Sequence, residues 1–231
     1  MKNIQLVIFD MAGTAINEDN VVYKTLAQAL QQYGFEVPLE MVLELGAGKE
    51  KRQAIVDILA SMLPQPASDE QVNRIHAAFQ QLLDRAYEEN PMSVFEGVAK
   101  LLPILRAHDI KVGFNTGYQR EVAELILAKV GLTVGVDLDV LVTATEAQRG
   151  RPAPDMIDLV CEQVNVPAAQ SLKVGDSAID IEEGRNAGVA LAVGITTGAQ
   201  TRGQLQQAEP DAVIDDMLEL LSLLELPTHE A

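Results

Sequence analysis

Six short, mostly apolar runs, each closed by a polar or glycine-containing turn and followed by a helical pattern, constrain this chain more than any other feature. They lie at residues 4–9 (IQLVIF), 110–115 (IKVGFN), 139–142 (DVLV), 171–175 (SLKVG), 189–193 (VALAV) and 212–214 (AVI). Runs of this length that are apolar on both faces fit the inner strands of a parallel sheet, whose neighbours must be joined by crossovers, usually helical. The gaps supply such helices. Val98, Leu101, Leu102 and Leu105 share one face, as do Val122, Leu125, Ile126 and Val130, and then Met156, Leu159, Val160 and Val164. The alternation predicts an α/β fold: a doubly wound parallel sheet with right-handed crossovers.

One long interruption breaks the alternation. Residues 17–93 read as almost wholly helical, which predicts a helical cap inserted after the first strand, with the α/β core formed by 1–16 and 94–231. Tyr23, Leu26, Leu30 and Tyr33 line one helix, Ile55, Ile58, Leu59 and Met62 a second, and Val72, Ile75, Phe79, Leu82 and Leu83 a third. Pro64 and Pro66 separate the second from the third, and Ser68 with Gln71 has the spacing of a capping box. The chain is expected to cross between core and cap at 15–20 and 90–96, and its last residues, PTHEA, to fray.

Composition narrows the chemistry. A formal charge of −17 repels nucleic acid and anionic membrane surfaces, so an anionic substrate has to be held by a local group of cations, dipoles or a metal ion. A single cysteine, Cys161, excludes an intramolecular disulfide framework, and His76, His108 and His229 lack ligand spacing. Cys161, on an apolar helix face, reads as core, and His76 and His108 as surface. Without a basic leader ahead of an apolar region, or an apolar stretch approaching the ~20 residues that span a bilayer, the expectation is a cytoplasmic protein, monomer or homodimer, with neither membrane nor nucleic-acid partners.

In an open α/β sheet, ligands bind beyond the carboxyl ends of the strands. Asp10 ends the first run and is followed by Met11-Ala12-Gly13-Thr14; Asn115-Thr116-Gly117 ends the run at 110; Gly175-Asp176-Ser177, with Asp180 four residues on from Asp176, ends the run at 171. Two strands thus deliver Asp10 and Asp176 to one sheet edge, where paired carboxylates suit a hard cation such as Mg²⁺. Gly150-Arg151-Pro152, a turn ahead of a helix, adds a guanidinium near the same edge. Singly, each residue has a plain structural reading: Asp10 as a turn residue, Thr116 as a helix cap, Arg151 in a surface ion pair, Asp176 and Asp180 favouring a helix N-terminus. Their convergence on one edge is hard to ascribe to capping.

Asp10-Met11-Ala12-Gly13-Thr14, Asn115-Thr116-Gly117-Tyr118, Gly150-Arg151-Pro152 and Val174-Gly175-Asp176-Ser177-Ala178-Ile179-Asp180 together resemble the four motifs of the haloacid dehalogenase superfamily. Asp-x-Ala-Gly-Thr at the first motif, arginine for lysine at the third and Glu183-Gly184-Arg185-Asn186-Ala187-Gly188 after the fourth are similar to its phosphonatase branch. The resemblance implies that Asp10 attacks phosphorus to form an aspartyl-phosphate. It implies Mg²⁺ held by Asp10, the Ala12 carbonyl oxygen and Asp176, with Asp180 acting through a metal-bound water. It also implies that Gly13 and Thr14 belong to the substrate loop, that Thr116 and the Gly117 amide donate to phosphoryl oxygens, and that Arg151 neutralises their charge.

Ala12 stands where most of the superfamily has an Asp that protonates the leaving group and activates water, a contribution worth ~10²–10⁴-fold. In the phosphonatase branch a cap lysine instead forms a Schiff base with a substrate aldehyde. The cap turn Leu45-Gly46-Ala47-Gly48-Lys49 puts Lys49 at about that place, although Arg52 stands where the branch has a His. Lys49 therefore has three readings: Schiff-base lysine of a phosphonoacetaldehyde hydrolase, clamp for a substrate anion, or solvated residue beside Lys51 and Arg52. The expected function is Mg²⁺-dependent hydrolysis of a small phosphorylated or phosphonate metabolite, and the competing class is a phosphate-binding regulatory protein without turnover.

Overall fold

The computed structural model describes residues 3–227, so the expected fraying at 228–231, and His229, lie outside the described residues. Six parallel strands, β1 (Leu6–Asp10), β4 (Lys111–Thr116), β5 (Val140–Thr143), β6 (Ser171–Gly175), β7 (Leu191–Ile195) and β8 (Ala212–Ile214), form one sheet in the order β5-β4-β1-β6-β7-β8. β1 lies between β4 and β6, with Asp10 beside Asn115 and Phe9 beside Val174. Every residue of β1, β5, β6 and β7 is buried, the consequence of helices on both faces. The crossover helices are α5 (Glu96–Ala107), α6 (Arg120–Val130), α7 (Asp155–Val164) and α8 (Ala178–Ala187), and two short helices, α9 (Arg202–Gln207) and α10 (Leu220–Leu223), follow. The six strands match the six apolar runs to within two residues. The order of strands reverses at β1, which makes its carboxyl end a topological switch point.

Between β1 and β4 lie a two-stranded antiparallel ribbon, β2 (Ile16–Asn17) with β3 (Ser93–Val94), and four helices, α1 (Val21–Gln32), α2 (Leu39–Gly46), α3 (Lys51–Met62) and α4 (Asp69–Glu89). The ribbon carries the chain out of the core and back. α1 packs on α2 and α4, and α3 on α2 and α4, through Leu26, Leu30, Ile55, Ile58, Leu59, Val72, Ile75 and Phe79. Ser68 caps α4 by accepting from the Gln71 N–H. Lys129 of α6 donates to the carbonyls of Tyr87, Glu88 and Asn90, satisfying the last turn of α4 and tying it to the core.

Three side chains depart from the expected apolar faces. Tyr33 is 41% exposed because α1 ends before it, and its hydroxyl donates to the Arg74 carbonyl. Met62 is 38% exposed at the last turn of α3, and Leu125 is 51% exposed because α6 buries Ala123, Ile126 and Leu127 instead.

Candidate active site

Asp10 is the last residue of β1, so its carboxylate stands at the switch point between Thr116 at the end of β4 and Asp176 just past β6. The turn after it doubles back at once: the Ala15 N–H reaches the Met11 carbonyl and the Gly13 N–H the Ile16 carbonyl. Gly13 makes that turn at φ +76°, and a Cβ there would lie 2.4 Å from Asp176 Oδ2, so conformation and close approach both require glycine.

Arg151 binds the site together. Its side chain is 2% exposed, and its Nη1 lies 2.7 Å from Asp10 Oδ1 and 3.0 Å from Asp180 Oδ1. Nε donates to Glu183 at 2.9 Å, and Nη2 to the Asn115 carbonyl and side-chain oxygens, both at 3.0 Å. A lysine could not make these contacts at once, because only the planar guanidinium offers donors on several sides in fixed directions. In this structure the Arg151 donors meet protein acceptors, Asp10 among them, and the guanidinium thereby fixes the direction of the Asp10 carboxylate. Behind it Lys173, 1% exposed on β6, donates to Asn115 Oδ1 at 2.7 Å and lies 3.1 Å from Asp180 and 3.7 Å from Glu183.

This buried group holds four carboxylates, Asp10, Asp176, Asp180 and Glu183, against two cations, Arg151 and Lys173. Two negative charges are left over. Burial raises the pKa of Asp10 against the pull of Arg151, and burial reinforced by Asp10 and Asp180 raises that of Asp176 well above its usual range. Burial opposes ionisation of Asp180 too, but Arg151 and Lys173 prevail and hold its carboxyl below the usual value. Oxygens of Asp10, Asp176 and Asp180 lie within 4.8 Å of one another. An all-oxygen set with two uncompensated charges fits a hard divalent cation such as Mg²⁺. Asp180 is the most heavily engaged of the three, facing Arg151, Lys173 and the Ser177 hydroxyl, whereas Asp10 meets Arg151 alone and Asp176 accepts from the Ala199 N–H.

Around these groups closes a cavity of about 30 Å³, lined from the core by Asp10, Ala12, Thr116, Gly117, Arg151 and Asp176. From the other side come Val22, Tyr23, Gly48 and Lys51, with Tyr118 completing the wall. Gly48, at φ +69°, presses its backbone onto α8: a Cβ there would lie 2.1 Å from Ile179 and 2.6 Å from the Ser177 hydroxyl. Thr14 is fully buried with its hydroxyl unpartnered, behind the loop rather than on the cavity wall.

Of the sequence-derived set, Asp10, Ala12, Thr116, Gly117, Arg151 and Asp176 line the cavity, Gly13 and Asp180 stand directly behind it against Asp176 and Arg151, and Thr14 and Lys49 lie off it. The Lys49 ammonium donates to Asp57 on α3 at 2.5 Å, and Lys51, two residues on, lines the cavity instead. Lys51 is half-buried, donates to the Lys49 carbonyl at 2.7 Å and lies 5.1 Å from the Tyr23 ring centroid. Burial pulls its pKa down to about 8, with Asp10 and Glu50 acting in the opposite sense. Lys51, Lys173 and Tyr23 were absent from the sequence-derived site. Lys173 lies inside a strand run, away from the strand ends at which the site residues are sought.

A family model for haloacid dehalogenase-like hydrolases matches residues 7–193. The chain is 30% identical over 221 residues to a phosphonoacetaldehyde hydrolase of Latilactobacillus sakei, spanning 90% of this chain and 81% of that protein. It is 28% identical over 233 residues to one of Bacillus cereus, spanning 96% and 86%. Among solved structures, a phosphonoacetaldehyde hydrolase-like protein of Oleispira antarctica superposes with a TM-score of 0.83 at 25% identity, covering 96% of this chain and 92% of that one. A hydrolase of Pseudomonas syringae superposes equally well, with a TM-score of 0.83 at 22% identity over 96% and 98% of the two chains. With the motifs gathered at the switch point of the expected sheet, the chain belongs to the haloacid dehalogenase-like hydrolases and is an enzyme of that family.

Proposed function

We propose that this enzyme is a Mg²⁺-dependent, phosphonatase-like hydrolase that takes a phosphoryl group from a small phosphate ester or phosphonate through an aspartyl-phosphate on Asp10. The observation that carries this reading is the Asp10 carboxylate, 8% exposed, held at 2.7 Å by Arg151 on the wall of a small cavity in which Ala12 offers a methyl group and no acid. Asp10 bonds to phosphorus as the bond from phosphorus to the leaving atom breaks; water then attacks phosphorus, releasing inorganic phosphate and restoring the carboxylate. Arg151 orients the Asp10 carboxylate for attack and opposes the rise in its pKa that burial causes. Thr116 and Gly117 line the same cavity, which supports a role for the Thr116 hydroxyl and the Gly117 amide as donors to phosphoryl oxygens. Mg²⁺, held by Asp10, Asp176 and the Ala12 carbonyl, supplies charge neutralisation for the anionic reactants when bound. Because Ala12 cannot protonate the departing atom, the leaving group must either be acidic in its own right or take its positive partner from Lys51, the cation on the cap side of the cavity.

A second reading is favoured by the two relatives named as phosphonoacetaldehyde hydrolases and by Lys51 itself. An amine with its pKa lowered to about 8 inside the cavity is well suited to attack an aldehyde, whereas Lys49 is engaged with Asp57. Both readings predict phosphate release that needs Mg²⁺ and disappears in Asp10→Asn, by a factor on the order of 10⁴. A panel of small phosphate esters, acyl phosphates and phosphonoacetaldehyde, assayed with and without chelator, measures this. Undiminished turnover in a folded Asp10→Asn variant would refute the covalent route, and turnover of no member would favour the regulatory alternative.

A further inference from the structure

The catalytic cavity is too small for a whole substrate. Its volume is about 30 Å³, room for a phosphoryl-sized group and little more. Next to it lies a cleft of about 310 Å³ between α3, α4 and the start of α6, and Lys51, Gly117 and Tyr118 line both spaces. These three residues form the throat through which the leaving part of a substrate bound at Asp10 must pass.

The lining of the cleft has a definite character. Phe79 and Leu83 of α4 and Val122 of α6 give it an apolar wall. Glu50, at the start of α3, and Asp84, on the outer rim of α4, give it two carboxylates. His76 adds no dependable countercharge, since burial lowers its pKa below the ordinary histidine value. Asp84 has no ion-pair partner among the described residues, while Glu50 accepts from the amides of Arg52 and Gln53 and lies 3.8 Å from His76.

We infer that the cleft between α4 and α6 is the leaving-group subsite, and that it selects substrates whose organic part is larger than two carbons, apolar along its length and neutral or cationic at its far end. The inference rests on the hydrolase reading above and narrows it. A two-carbon aldehyde would leave the cleft empty, and a second anionic group beyond Lys51 would meet Glu50 and Asp84.

Non-hydrolysable phosphonates separate the two claims by binding alone. Titration calorimetry in saturating Mg²⁺ compares methylphosphonate, benzylphosphonate, and benzylphosphonates bearing a para aminomethyl or a para carboxylate group. Relative to methylphosphonate, the benzyl compound is expected to bind about tenfold tighter through burial of its ring. The aminomethyl compound is expected to bind at least about tenfold tighter than the carboxylate. Asp84→Lys, a change at an exposed position, is expected to erase or reverse the preference between those two, and Val122→Trp to abolish the advantage of benzylphosphonate over methylphosphonate. If methylphosphonate itself fails to bind, the hydrolase reading falls. If it binds and the ring adds nothing, or the charge preference is absent or untouched by Asp84→Lys, the subsite is wrong and the hydrolase reading stands.

Discussion

Glu18 sits where the chain leaves the core for the helical insert, 3% exposed, and its carboxylate accepts from the Val22 N–H at 3.1 Å. Burial raises its pKa from 4.5 to about 7; the Val22 hydrogen bond and the nearby Lys51 and Lys24 ammonium groups oppose the rise, and Asp19 adds to it. Tyr23, Tyr87 and Tyr118 complete its surroundings with neutral phenols. Between these two pKa values the folded chain binds a proton that the unfolded chain has released, so this group costs stability as pH rises through the window. The difference from 4.5 to about 7 amounts to about 3 kcal/mol above pH 7 and vanishes below pH 4.5. Glu18→Gln keeps the shape and the acceptor for Val22 but cannot ionise. Urea or thermal unfolding of both proteins from pH 4.5 to 8 should show the variant gaining on the parent by about 3 kcal/mol, roughly 6–12 °C in midpoint for a chain of this size. Asp10 and Asp176 also have raised pKa values, but they are common to both proteins and cancel in the difference. A difference independent of pH, or one that favours the parent at pH 8, would refute the assignment of a buried, destabilising carboxylate at the crossing.

Asp176→Asn removes one of the two leftover charges and should raise the Mg²⁺ concentration for half-maximal activity by at least about tenfold, read by metal titration of phosphate release. Gly48→Val should lower kcat/KM by about 10²-fold, because its side chain would strike Ile179 and Ser177 and hold the cap turn off α8; circular dichroism should show the fold retained. Borohydride added with phosphonoacetaldehyde should leave no adduct if the enzyme is phosphonatase-like only. A reduced adduct located on Lys51 by mass spectrometry would establish the aldehyde reading, and one on Lys49 would require the Lys49–Asp57 pair to break.

The sheet and most of the site were legible for one physical reason: strands buried on both faces must be apolar throughout, so polar residues mark their ends, and in this topology the ends are where chemistry gathers. Asp10, Thr116 and Asp176 were found that way. Lys173 was hidden by the same rule, since it lies inside a buried strand and is tolerated there only because Asn115, Asp180 and Glu183 surround it. Lys49 and Lys51 could not be distinguished because the choice depends on where α3 starts. Glu50 caps that helix by accepting from Arg52 and Gln53, which turns Lys51 toward the cavity and leaves Lys49 to Asp57. The ribbon of β2 and β3, two residues in each strand, is too short to leave any periodic trace.

A chain with a net charge of −17 that handles phosphoryl anions must concentrate positive charge where the reaction occurs. Its core supplies Arg151 and Lys173, but both are already engaged with carboxylates, and the balance there stays negative by two. Lys51 is the cavity-lining cation that belongs to the helical insert, and it reaches the cavity only while Gly48 rests on Ile179 and Ser177. Movement of the insert away from the core would therefore withdraw that charge and admit water to Asp10 in one step, whereas closure restores both the charge and the dry environment in which it acts most strongly. The wider cleft beyond Tyr118 lies between α4 of the insert and α6 of the core. Binding of the organic end against α4 and α6 can thereby favour the closed state, so that the part of the substrate that does not react helps to assemble the site that reacts.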